Sequence, residues 1–213
     1  LKNDEINSEF LYRKAVTGKK TAMIFERESD RISLGYTINK KSLNTSINPK
    51  MPYLSFLAIN YDIPVISEVI TWFESCIIRS YANPIVEHPI MLAKDAPYKE
   101  QFIRALNDMD IDITDYRYDE DTHQLFVQRT LSAHKYELPF SQESDGTRKL
   151  IAALPVILLA LREGRMVIID ELDAKLHPKL LRYVIQMFKN QELNKKGAQL
   201  LFSSHDLTTM KNT

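Results

Sequence analysis

The sequence predicts an α/β fold built around a parallel strand–helix–strand unit, on three observations. Residues 166–169 form a continuous apolar run, Met-Val-Ile-Ile, followed at once by Asp170 and Glu171. Such a run is the pattern of a strand buried on both faces. From Pro178 onward, Leu181, Val184, Ile185 and Phe188 recur at helical spacing. A second short run, residues 199–202, follows a Lys195-Lys196-Gly197 turn. Two buried strands joined by one helix make a parallel α/β unit.

The elements before that unit are of a different kind. Residues 1–51 read as a strand meander. Phe10-Leu11-Tyr12, Ala22-Met23-Ile24-Phe25 and Ile32-Ser33-Leu34 are separated by turn signals at Thr17-Gly18-Lys19-Lys20 and Glu28-Ser29-Asp30, and a polar loop covers 39–50. Residues 52–110 read as a helical insertion. A short helix runs from Pro52 to about Asn60. A stronger one opens at Pro64, carries Val65, Ile66, Val69, Ile70, Phe73, Ile77 and Ile78, includes Cys76, and ends at Asn83-Pro84. A third starts at Pro97, with Phe102, Ile103 and Leu106 on its buried face.

Residues 111–213 form the last segment. Strands are expected over 111–118, 125–131 and 136–140. A polar turn over 141–146 then leads into an apolar helix over 147–161, closed by Gly164.

Composition excludes several function classes. Hydrophobic residues at 44% and charged residues at 26% are those of an ordinary globular chain. Lys and Arg total 28 and Asp and Glu total 28, so global charge gives no case for a nucleic-acid or membrane partner. A single cysteine, Cys76, allows no intrachain disulfide and no cysteine-rich metal site, which fits a reducing cytoplasm. The longest apolar run, residues 150–161, is interrupted by Pro155 and is too short to span a bilayer. The chain starts at Leu1 and stops just after a strand end, so it is expected to be a piece of a longer protein.

Three segments carry chemistry. Asp170 and Glu171 stand at the C-terminal end of an expected parallel strand, where ligands bind in open α/β sheets. One carboxylate there can hold magnesium and the other can polarise an attacking water; a solvated acidic turn would give the same residues. In Ser203-Ser204-His205-Asp206, the next strand ends at His205, which could reach a phosphate oxygen or that water. A surface histidine is the alternative. In the 141–147 turn, Ser144 and Gly146 stand at a helix start, where unpaired N–H groups and the helix dipole favour an anion. For this segment alone an ordinary N-cap is the simpler reading.

Taken in order, these motifs resemble the ABC-type ATPase heads of transporters, chromosome-maintenance proteins and RecF-like repair proteins. The sequences Glu143-Ser144-Asp145-Gly146-Thr147 and Asp170-Glu171-Leu172-Asp173-Ala174-Lys175-Leu176-His177-Pro178 look closest to the abortive-infection and OLD-like ATP-binding proteins of the AAA family. The resemblance covers most of the chain, with specific motifs only between residues 141 and 206. It implies a P-loop NTPase core of ABC-ATPase type with an antiparallel meander and an inserted helical lobe.

The resemblance also implies roles. Ser144 and Gly146 match the signature that meets nucleotide, Asp170 the magnesium-linked acid, Glu171 the catalytic glutamate and His205 the switch histidine. ATP and Mg2+ are the implied cofactors and a second head is the implied partner. An effector nuclease and a nucleic acid are further implied partners. The implied biology is anti-phage defence; DNA repair or chromosome association, and a non-hydrolysing dimerisation scaffold, are the alternatives.

Two departures qualify the match. The usual Leu-Asp that follows the acid pair is Leu176-His177 here. None of the five glycines, at 18, 35, 146, 164 and 197, fits the phosphate-binding pattern G-x-x-x-x-G-K-[ST]. That loop is expected upstream, so the intact protein is expected to be an ATPase and these residues alone to bind ATP weakly. Gly18-Lys19-Lys20-Thr21 fails the pattern twice, with Arg13 at the first glycine position and Lys20 at the last. Asp108, Asp110 and Asp112 fail as a calcium loop because Ile113 and Asp119 stand where Gly and Glu are needed. His88 and His177 lack partners at zinc spacing.

Overall fold

The computed structural model describes residues 5–15, 17–38, 42–80, 99–131, 134–174 and 176–204. The chain divides into two compact units, Leu1–Glu74 and Ser75–Thr213. The boundary falls inside the 52–110 span.

In the first unit, β1 (Ser8–Lys14), β2 (Thr21–Glu28) and β3 (Arg31–Leu34) form an antiparallel sheet in that order, as the turn signals imply. At Gly35 a Cβ would stand 1.8 Å from the Met23 carbonyl oxygen, so only glycine lets the chain leave β3 alongside β2. Helix α1 (Tyr53–Asn60) starts after Pro52, which offers no side-chain cap. The Glu9 carboxylate supplies one from β1, accepting from the N–H groups of Tyr53 at 2.6 Å and Leu54 at 2.9 Å. Helix α2 spans Pro64–Ser75. Ile24, Phe25, Tyr53, Leu57, Ile63 and Ile66 form the core between sheet and helices. The guanidinium of Arg27 is buried among them and donates to the carbonyls of Ser29, Pro49 and Met51, which compensates its desolvation.

The second unit holds a parallel sheet in the order β4-β8-β9: Ile77–Ser80, Met166–Asp170 and Gln199–Phe202. An antiparallel meander joins β5 (Asp115–Asp119), β6 (Gln124–Leu131) and β7 (His134–Pro139). Helix α3 is Lys99–Asp108, α4 is Asp145–Glu163 and α5 is Pro178–Lys189. Helix α4 is buried nearly all round from Lys149 to Leu161, and ends in a left-handed Gly164 whose N–H closes on Ala160. One core joins Leu150, Leu154 and Ile157 of α4 to Val167 and Ile169 of β8, Leu181 and Val184 of α5, and Phe102 and Leu106 of α3.

Three expectations need correction. The helix expected from Pro64 to Asn83-Pro84 stops at Ser75, and Ile77–Ser80 is instead a strand lying parallel to β8. Four residues are too few for alternation to show, so Ile77 and Ile78 looked like a continuation of the helical stripe. Cys76 therefore lies between helix and strand, and the 52–110 span is not helical throughout. Residues 111–114 precede β5 and do not belong to it. The third correction concerns β8, of which only one face is fully buried. Val167 and Ile169 are inaccessible, but Ile168 is half-buried between Ile78 and Leu201 in register on the neighbouring strands, and those two are 66% and 52% exposed.

Candidate functional site

Strand β8 is central in its sheet, so its C-terminal end lies between those of β4 and β9. Asp170 is its last residue, paired in register with Ser80 of β4. Ser203, just past β9, donates its hydroxyl to Asp170 Oδ1 at 2.5 Å and accepts from the Glu171 N–H at 2.7 Å. Its backbone continues the sheet past the strand end: Ser203 N–H donates to the Ile169 carbonyl, and Leu172 N–H to the Ser203 carbonyl. One serine thus holds the Asp170 carboxylate and the backbone of Glu171. Glu171 itself has φ 51°, a left-handed conformation uncommon for a residue with a Cβ.

A buried lysine holds the turn that follows. Lys149, in the second turn of α4, is 1% exposed. Its ammonium donates to the carbonyls of Glu171 and Ala174, the latter at 2.8 Å. The Glu171 carbonyl also accepts from the Ala174 N–H at 3.2 Å.

The start of α4 is built as the sequence implies. Ser144 is the N-cap, its Oγ accepting from Thr147 N–H at 3.2 Å, so the capping reading holds for its hydroxyl. Just before it, Glu143 takes two hydrogen bonds from Arg129 of β6, at 3.1 and 2.9 Å. That carboxylate holds the Arg129 guanidinium above its ordinary value, against burial that pulls it down. His177 caps α5, its Nδ1 accepting from Lys179 N–H at 3.2 Å. Ser144, Gly146 and Thr147 share a cavity of about 340 Å³ with Asp110, His177 and Lys179. Two helix N-termini open into it, a setting that favours an anion, and the Lys179 ammonium at its wall pairs with Asp110.

Of the five site residues read from the sequence, Asp170 and Glu171 stand together at the strand end. Ser144 and Gly146 stand together at the start of α4. The helix that carries them also carries Lys149, which reaches the Glu171 carbonyl. His205 lies outside the described residues, as do His88, Asn83-Pro84 and Pro97. Sequence reasoning missed Ser203 and Lys149. Ser203 lay in view inside the Ser-Ser-His-Asp motif, and the signal for Lys149 was a cation, next to Arg148, standing directly at the head of a run of twelve apolar positions.

The donor set suits Mg2+, which takes one or two carboxylates and fills its remaining positions with phosphate oxygens and water. Among the described residues no group of three or more His, Cys, Asp and Glu could hold a metal alone.

A mixed α/β unit with this acid pair is consistent with a P-loop domain of the AAA type. A family model described as "AAA domain, putative AbiEii toxin, Type IV TA system" matches residues 2–211, and the chain belongs to that family. No curated protein matches the chain significantly.

Proposed function

We propose that this chain forms part of an ATP-hydrolysing head of the ABC type that acts in anti-phage defence. In this reading the phosphate-binding loop comes from outside residues 1–213. The observation that carries the reading is the Asp170–Glu171 pair at the end of the central parallel strand, where Ser203 holds the Asp170 carboxylate and the Glu171 backbone N–H. ATP with Mg2+ supplies the phosphoanhydride bond to be cleaved and neutralises phosphate charge. Asp170 holds the cation, and Glu171 orients the attacking water and accepts its proton. Ser144 and Gly146, at the start of α4, meet the terminal phosphate of nucleotide held by a second copy, so the working form is an ATP-engaged dimer. The abortive-infection context follows the family's description as a putative toxin of a type IV TA system. An effector nuclease, fused or separate, is the partner this biology calls for.

The test is Glu171→Gln in the intact protein. Hydrolysis should stop, ATP binding should persist, and an ATP-dependent dimer should accumulate on size-exclusion chromatography. Turnover at the parental rate would remove Glu171 from the role of water-activating residue.

A further inference from the structure

We propose that Lys149 is a positioning residue for Glu171, linking the carboxylate that activates water to the helix whose first turn carries Ser144 and Gly146. The inference rests on the reading of Glu171 given above.

The geometry starts from the Glu171 backbone. A residue with a Cβ at φ 51° occupies a sparsely populated well, and stays there only where its surroundings over-determine it. Both of its peptide groups are held by side chains from other elements. Ser203, after β9, takes the N–H at 2.7 Å, and Lys149, from α4, donates to the carbonyl. The same ammonium reaches the Ala174 carbonyl at 2.8 Å, so it closes the turn that carries Glu171 away from β8.

Packing does not call for a lysine here. The position is 1% exposed and heads the apolar body of α4, where an unbranched apolar residue of the same length would fill the space without desolvating a charge. What the ammonium adds is direction, two donated hydrogen bonds aimed at one turn. Lys149 lies within one helical turn of Gly146 and Thr147, which line the 340 Å³ cavity. A helix buried nearly all round moves as a body, so an anion that pulls on the first turn of α4 also pulls on the Glu171 carbonyl. Engagement at the cavity and the aim of the carboxylate are thereby connected through one side chain.

The test uses Lys149→Met, Lys149→Gln and Glu171→Gln in the intact protein, with ATP as the probe. Misplacing a catalytic group by about an ångström costs roughly 100-fold in rate. Lys149→Met should lose kcat on that scale. KM for ATP should stay near the parental value, because the Lys149 ammonium is buried and donates to the Glu171 and Ala174 carbonyls. Lys149→Gln, which keeps a donor, should retain more turnover than Lys149→Met. The double variant Lys149→Met/Glu171→Gln should be no slower than Glu171→Gln alone, since residues acting as a unit are not additive.

Parental kcat in Lys149→Met would overturn the inference, as would a loss confined to KM. Loss of near-ultraviolet circular dichroism in both Lys149 variants would also overturn it, because the lysine would then be a stability residue. The two readings fail separately. An active Glu171→Gln removes the reading of Glu171 itself, whereas an inactive Glu171→Gln beside a fully active Lys149→Met removes only the role of Lys149.

Discussion

Glu143→Gln tests how the start of α4 is held. The Glu143 side chain is 7% exposed and takes two hydrogen bonds from Arg129, whose side chain is 22% exposed. Glutamine keeps the shape and one acceptor but removes the charge and turns an amide N–H2 toward the guanidinium. Breaking a buried pair from one side costs 3–5 kcal/mol and an exposed pair is worth under one. Arg129 keeps some access to water and a second acceptor in the Asp112 carbonyl at 3.2 Å, so the expected loss is intermediate, about 2 kcal/mol. With a urea slope near 2 kcal/mol/M, the midpoint should fall by about 1 M.

The chain has two compact units, so far-ultraviolet circular dichroism should be paired with hydrogen exchange at α4 amides, which reports the second unit alone. Adding Arg129→Met should recover part of the loss, because the unpaired guanidinium is removed with its partner. A midpoint unchanged within error would mean that the pair behaves as a solvated surface contact. The claim that it anchors the turn before Ser144 would then be wrong.

Two further outcomes are expected. Ser203→Ala removes the hydroxyl shared by Asp170 and the Glu171 N–H; with water able to reach the site, stability should fall by about 1 kcal/mol. Turnover should fall much further, while Ser203→Thr stays near parental, and equal kcat in the alanine variant by steady-state ATPase assay would refute the assignment. Tyr183 is raised from 10.0 to about 12 by burial and by its hydrogen bond to Asp108. The folded state therefore keeps this proton to higher pH than the unfolded chain, and the associated stability is complete below pH 10 and lost as pH rises toward 12. Tyr183→Phe should make the alkaline decline in urea midpoint shallower, and an unchanged slope would refute the linkage.

Much of the fold was legible because its signals are local. The turn residues around Gly18 and Ser29 delimit the first meander, and the acid pair marks the end of β8. The capping serine and the left-handed Gly164 bracket α4. Two things were not legible. Strand β4 exists because β8 lies beside it, and a four-residue segment such as Ile77–Ser80 carries no period of its own. The supports of the site come from distant sequence: Lys149 is 22 positions from Glu171, and Ser203 is 32 positions away. Spacing along a chain identifies the acids but not the side chains that fold back to aim them. The role of His177 was hidden for a related reason. Read as a motif it was a departure, and only the fold shows that its imidazole caps α5.

The left-handed backbone at Glu171 sets protein fitness against protein robustness. Glycine would adopt that conformation without a Cβ penalty, and asparagine at less cost than glutamate. Either change would relax the turn and discard the carboxylate. A laboratory lineage selected only for heat tolerance would be drawn to change this position, whereas one selected for turnover would keep it and compensate elsewhere. On the proposed reading of Glu171 as the water-activating residue, the residue that looks least economical for the fold is the one whose persistence reports whether hydrolysis is under selection.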